Sequence, residues 1–142
     1  MLRVSYLLAL KGKDVWSIGP DAPVLDAIKL MAERHIGALP VVRGRELIGI
    51  ISERDYARKV ILMGRSSADT PVREIMSSPV TTISPDEAVH NCMEMMTEKR
   101  IRHLPVVDRS GLVGIISIGD LVKAVIEEQQ QTIDQLERYI AS

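Results

Sequence analysis

Gly114-Ile115-Ile116-Ser117-Ile118-Gly119-Asp120 has a counterpart 65 residues earlier, Gly49-Ile50-Ile51-Ser52-Glu53-Arg54-Asp55. Both stretches read Gly, two β-branched residues, Ser, two spacers, Asp. The same offset carries Pro20 onto Pro85, Met31 onto Met96, Ile36 onto Ile101 and Leu47 onto Leu112. It also carries Leu39-Pro40-Val41-Val42 onto Leu104-Pro105-Val106-Val107. Residues 15–61 and 80–126 thus align without a gap. An internal repeat decides an architecture before any local reading does, and two copies imply a pseudo-symmetric pair rather than a solenoid.

A 142-residue chain with 46% apolar and 26% charged residues is an ordinary globular one, long enough for one core or two small halves. Its net charge is −1, so any anion site has to be built locally. The aromatics are Tyr6, Trp16, Tyr56 and Tyr139, poor material for stacking bases, and basic residues are interspersed with acids. Both features argue against nucleic acid as a partner. Cys92 is the single cysteine and repeats as Ala27 on an apolar helix face, which reads as a buried small residue rather than a nucleophile. Met1–Leu10 lacks a full signal h-region and no stretch approaches about 18 continuous apolar residues. The expected compartment is the cytoplasm, with no membrane association.

Along the chain, residues 1–13 read as a lead-in with a helical turn or two, ended by Gly12. Val15–Ile18 reads as a strand, and Gly19-Pro20-Asp21 as the opening of a helix carrying Val24, Ala27, Ile28 and Met31. Ala38–Val42 and Leu47–Ile51 form a hairpin, and Ser52 caps a helix to about Met63. Residues 14–64 are the first repeat and 65–78 a linker, in which Thr70-Pro71 starts a short helix. The second repeat, 79–126, follows the same plan: a strand at Val80–Ile83, a helix opened by Ser84-Pro85-Asp86-Glu87, the hairpin His103–Val107 with Leu112–Ile116, and a helix from Ser117. That helix continues through 127–142 with Ile133, Leu136 and Ile140 on its stripe. The excess length predicts a tail packed on a partner subunit or on the lead-in. The fold class is α+β: two pseudo-symmetric β-α-β-β-α repeats packed through their sheets, with a long C-terminal helix.

An isolated Ser-x-x-Asp before a helix is a capping box and nothing more. Here each copy follows a strand directly, so the Ser stands where free backbone N–H groups of a helix start can hold an anion. The preceding Gly lets another backbone or a ligand come close. The Asp suits a ribose diol, which donates two hydrogen bonds, better than a phosphate. Arg54, Arg102 and His103 are the cations available for a phosphate. His35, His90 and His103 have no histidine at their repeat positions, and no metal-ligand spacing or glycine-rich phosphate loop occurs, so a catalytic reading has little support.

The repeat resembles the CBS domain, and the pair resembles a Bateman module of the stand-alone bacterial kind. The resemblance is carried by His35–Val42 with Leu47–Asp55, and by Arg100–Val107 with Leu112–Asp120. It implies a non-catalytic regulatory or sensor module with two nucleotide sites between the repeats. The implied ligands are adenosyl compounds, AMP first, NAD(H) or ADP/ATP next and S-adenosylmethionine last. One implied site joins Ser117 and Asp120 to Ser17, Ile36, Gly37 and Ala38. The other joins Ser52, Arg54 and Asp55 to Thr82, Ile101, Arg102 and His103. Arg54 matches a phosphate-binding position that is Gly119 in the second copy, so the two sites are expected to be unequal. A homodimer and a regulated partner protein are implied as well; the competing reading is an interaction or dimerisation module whose cleft binds little or nothing.

Overall fold

The computed structural model describes residues 1–12 and 14–141. Lys13, the last residue of the expected lead-in, and Ser142, the last of the expected tail, lie outside the described residues. In chain order the elements are α1 (Val4–Lys11), α2 (Val24–Arg34), β1 (Ala38–Arg43), β2 (Glu46–Ser52), α3 (Glu53–Tyr56), α4 (Val89–Lys99), β3 (His103–Asp108), β4 (Gly111–Ser117) and α5 (Ile118–Ala141). α3 runs on into a wider π-helical turn, Ala57–Ile61, and a 3-10 turn lies at Val72–Glu74.

Each hairpin is antiparallel, and the two have the same register. Leu39 pairs with Ile51 and Leu104 with Ile116, and both hairpins slip by one residue between their two valines. Those four side chains are fully buried, each contributing roughly 1.5–3 kcal/mol of hydrophobic stabilisation. α2 and α4 both end at a left-handed residue, His35 and Arg100, each with φ 55°. A non-glycine residue rarely holds that conformation. Here it lets the next amide bond back, Ile36 N–H to Met31 O at 3.0 Å and Ile101 N–H to Met96 O at 3.1 Å.

Several local expectations need correction. The first strand of each repeat is reduced to a single parallel bridge, Ile18 to Val41 and Ile83 to Val106. The helices expected at Pro20 and Ser84 begin only at Val24 and Val89, after extended Pro23 and Ala88. Glu87 N–H instead closes a turn on Ser84 O, so the apparent capping box is spent on a turn. Thr70 does not cap; its hydroxyl donates to Ser66 O at 2.7 Å.

The larger finding is that the duplication reaches into the lead-in. Val4 N–H donates to Glu87 O and Val72 N–H to Ala22 O; Ser5 N–H donates to Pro85 O and Arg73 N–H to Pro20 O. Val4 and Leu7 are part of the second repeat's core, just as Val72 and Ile75 are part of the first repeat's. Each repeat is therefore completed by the segment that precedes its sibling. The glycines of the motif exist for this packing. A Cβ on Gly49 would lie 2.5 Å from Met76 Sδ, and one on Gly114 would lie 2.5 Å from Leu8 Cδ2. At Gly114 what comes close is a side chain alone; at Gly49 it is a side chain and, at 3.2 Å, the backbone oxygen of Ser77, the kind of approach expected there.

α5 buries only Leu121 and Ala124. Beyond them Ile126, Ile133, Leu136 and Ile140 remain 59%, 47%, 56% and 82% exposed. With Val122 and Gln129 they fall at alternating steps of four and three, the spacing of a coiled-coil seam.

Candidate functional site

β2 delivers Ser52 in extended conformation to the start of α3, and a capping box follows. Asp55 N–H donates to Ser52 Oγ at 3.2 Å, and Ser52 N–H to Asp55 Oδ2 at 3.0 Å. The other carboxylate oxygen, Oδ1, accepts Ser77 Oγ at 3.3 Å and pairs with Lys59 Nζ at 3.1 Å. These residues form one wall of a cleft of about 560 Å³. Arg54, Arg58, Lys59, Arg100 and Arg102 surround it, against the carboxylates of Glu53 and Asp55. A chain of net charge −1 thus concentrates positive charge at one place. Ile50, Pro79, Val80 and Ile101 supply apolar surface in the same cleft. Cations, a carboxylate with a hydroxyl beside it, and an apolar wall can receive a phosphate, a diol and a flat ring respectively.

Of the residues named from sequence, Ser52, Arg54, Asp55, Ile101, Arg102 and His103 come together in this cleft. Thr82 is exposed and outside the lining, where Val80 and Thr81 stand instead. Gly37, expected in the other site, lines this one. A Cβ there would meet both Glu53 Oε1 and His103 Nε2 at 3.4 Å. Ser17 is exposed, Ile36 packs against the first repeat's core, and Ala38 is buried opposite Ser52 in the hairpin.

Ser117 and Asp120 repeat the capping box, with Ser117 N–H to Asp120 Oδ2 at 2.8 Å and Asp120 N–H to Ser117 Oγ at 3.2 Å. Their surroundings differ. Lys11 Nζ, from the end of α1, lies 2.8 Å from Asp120 Oδ2 and 2.9 Å from Ile115 O. Partial burial by itself would raise the Asp120 carboxyl, but the Lys11 and Ser117 bonds bring it below the usual carboxylate range. Burial pushes the His103 imidazole down, and the Lys11 ammonium adds to that against the opposing Asp120 charge. Cys92 is buried, its thiol pushed up to about 11 by burial and then by Glu87, as suits a core residue.

Arg58, Lys59, Ser77 and Arg100 in the cleft, and Lys11 beside Asp120, are among the site residues that sequence reasoning missed. Lys59 sits four residues after Asp55, a helical ion-pair spacing that was available to read. Lys11 and Ser77 belong to the lead-in and the linker, whose equivalence is offset by 68 residues instead of 65.

A CBS-domain family model matches residues 10–61 and 72–127. The chain belongs to the CBS-domain family and carries a pair of such domains. It is 42% identical over 147 aligned residues to the mitochondrial CBS domain-containing protein CBSX3 of Arabidopsis thaliana, covering 96% of this chain and 71% of that one. It is 36% identical over 107 residues to the CBS domain-containing protein YhcV of Bacillus subtilis, covering 75% and 76%. Among solved structures, a candidate signal-transduction protein with CBS domains from Burkholderia ambifaria superposes with a TM-score of 0.86 at 50% identity, over 90% of this chain and 96% of that chain. A hexameric CBS-CP12 protein from bloom-forming cyanobacteria gives 0.77 at 31% identity, over 86% and 70%. Among the described residues no helix is long and apolar enough to cross a membrane.

Proposed function

We propose that this CBS pair is a regulatory module that binds an adenosine-containing nucleotide in the Asp55 cleft. AMP is the first expectation, with NAD(H) or ADP/ATP next. The observation that carries the reading is the cleft itself. Five cationic side chains from both repeats converge on a strand-to-helix turn whose Asp55 faces a hydroxyl-bearing neighbour. A phosphate would lie among Arg54, Arg58 and Arg102, and the ribose diol would take over the acceptor capacity of Asp55 that Ser77 and Lys59 now use. Because the lining comes from both repeats and from the linker, a bound ligand favours one relative arrangement of the three, and a partner reads that arrangement. A thermal-shift panel of AMP, ADP, ATP, NAD(H), S-adenosylmethionine and guanine nucleotides tests this. A ligand at 100 times its dissociation constant adds about 2.7 kcal/mol, on the order of 5–10 °C for a chain of this size. Arg54→Ala and Arg102→Ala should each shrink the shift, and no shift with any member of the panel would sink the reading.

The second reading, an interaction module, rests on the uncovered stripe of α5. Ile at 126, 133 and 140 alternating with Gln129 and Leu136 is the pattern of a two-stranded seam. We infer a homodimer through α5, to be checked by light scattering on the full chain. The sensor and dimer readings are compatible, since the second protomer can be what reads the cleft.

A further inference from the structure

The Asp55 cleft holds more positive charge than one phosphate needs. Five cations, Arg54, Arg58, Lys59, Arg100 and Arg102, face two carboxylates, Glu53 and Asp55, which leaves a net +3 in the lining. Lys59 is paired with Asp55. The four arginines have no hydrogen-bond or ion-pair partner among the described residues. An exposed arginine without a partner is ordinary, but four crowded at one cleft repel one another, and a polyanion relieves that repulsion. The cluster is not part of the repeated fold. At the 65-residue offset Arg54, Arg100 and Arg102 become Gly119, His35 and Gly37. Arg100 also holds φ 55°, a conformation that suits glycine best.

Three of these arginines line a second, adjoining depression of about 310 Å³. Arg54, Arg100, Ile101 and Arg102 are common to both cavities, so one extended ligand can lie across the shared wall. The outer depression adds Thr97 and the apolar Met96 and Ile118, and no carboxylate stands among its described lining residues. A second ribose there would find no acceptor of the kind Asp55 supplies, whereas phosphate oxygens would find three guanidinium forks. AMP brings at most about −2, less than the excess of cations, and each further phosphate adds about one more negative charge. We propose that the ligand of the Asp55 cleft is a nucleoside polyphosphate, its first phosphate beside Arg58 and its outer phosphates carried by Arg54, Arg100 and Arg102 into the second depression. This deepens the nucleotide reading of the cleft, rests on it, and moves ADP and ATP ahead of AMP and NAD(H).

Titration calorimetry on the full chain with AMP, ADP, ATP, NAD(H) and inorganic triphosphate tests it. ATP should bind about tenfold or more tighter than AMP, with ADP between them. Arg100→Gly removes the guanidinium and suits the backbone at that position, so it should fold normally by circular dichroism. It should lower ATP affinity about tenfold and leave AMP affinity within about threefold. Thr97→Asp, which sets a carboxylate in the outer depression, should discriminate in the same direction. AMP binding as tightly as ATP, NAD(H) binding more tightly than ATP, or Arg100→Gly weakening AMP and ATP alike would each overturn the polyphosphate assignment and leave the nucleotide reading standing. Inorganic triphosphate binding as tightly as ATP, or no binding by any nucleotide, would remove both.

Discussion

Gly49→Ala and Gly114→Ala are the same substitution at equivalent places and should have different costs. At Gly49 the new Cβ would lie 2.5 Å from Met76 Sδ, 2.9 Å from Met76 Cγ and 3.2 Å from the backbone oxygen of Ser77. The side chain cannot simply turn away, because the backbone behind it is held by paired bonds between Ile50 and Ser77. Overpacking of this kind costs about 1–3 kcal/mol, against a gain of roughly 0.5–1 kcal/mol from replacing a strand glycine. The net expectation is a loss of about 1–2 kcal/mol. At Gly114 the close atom is the tip of Leu8, and the next nearest are at 3.7 and 3.8 Å. One rotamer change relieves the contact, so the two effects should nearly cancel. Urea unfolding of both variants measures the difference. Met76→Ala in the Gly49→Ala background should recover stability, giving a coupling of about 1 kcal/mol in a double-mutant cycle. Equal losses at the two glycines, or strict additivity with Met76→Ala, would refute the packing argument. Since Ser77 moves with Met76, Gly49→Ala should also weaken ligand binding at Asp55, while Gly114→Ala should not.

Asp55→Ala removes the capping box together with the Lys59 and Ser77 contacts, and should cost about 0.5–2 kcal/mol in urea unfolding even without ligand. Ligand effects in that variant are therefore to be read as shifts relative to its own unliganded midpoint. His103 gives a pH dependence with a definite sign. Its folded pKa lies below the ordinary value of 6.5, so the unfolded chain binds more protons as the pH falls through that value. Stability from this group is full above pH 6.5 and is lost as the pH drops toward the folded pKa. The midpoint measured between pH 7.5 and 5 should fall less in His103→Gln than in wild type. Ile133→Asp should leave monomer stability within about 0.5 kcal/mol, because the side chain is 47% exposed. It should convert a dimer to a monomer in light scattering; a dimer that survives would exclude the α5 seam.

The parts of the fold legible in the sequence are those where identity and periodicity act together. The hairpins are an example: Leu-Pro-Val-Val and Gly-Ile-Ile-Ser repeat as runs, and burial of Leu39, Ile51, Leu104 and Ile116 fixes their register. The Asp55 side of the candidate site was legible for the same reason, since Ser52 and Asp55 lie on the motif and Ile101 to His103 lie at its sibling's edge. Helix starts were misread because Pro20 and Ser84 carry helix-opening chemistry, yet both segments are used to receive the backbone of the opposite lead-in.

That exchange also explains why Lys11 and Ser77 were invisible. Between the lead-in and the linker the 65-residue offset becomes 68, and the matching side chains are Val4 with Val72, Leu7 with Ile75 and Leu8 with Met76. Apolar residues interchange freely at such positions because packing requires volume more than identity, so only one of the three pairs is identical. The polar residues that follow do not even share a position, since the 68-residue offset carries Lys11 onto Pro79 and Ala9 onto Ser77, yet Lys11 and Ser77 reach matching acceptors, a β-strand carbonyl and the motif aspartate. The duplication is therefore preserved in its hydrogen bonds after it has faded from its letters. Because each repeat is finished by the segment before its sibling, a change at either aspartate is felt by the chain that enters the other half. The two aspartates differ in where their cation comes from: Asp120 receives Lys11 from the entering segment, whereas Asp55 receives only the Ser77 hydroxyl from that segment and takes Lys59 from its own repeat.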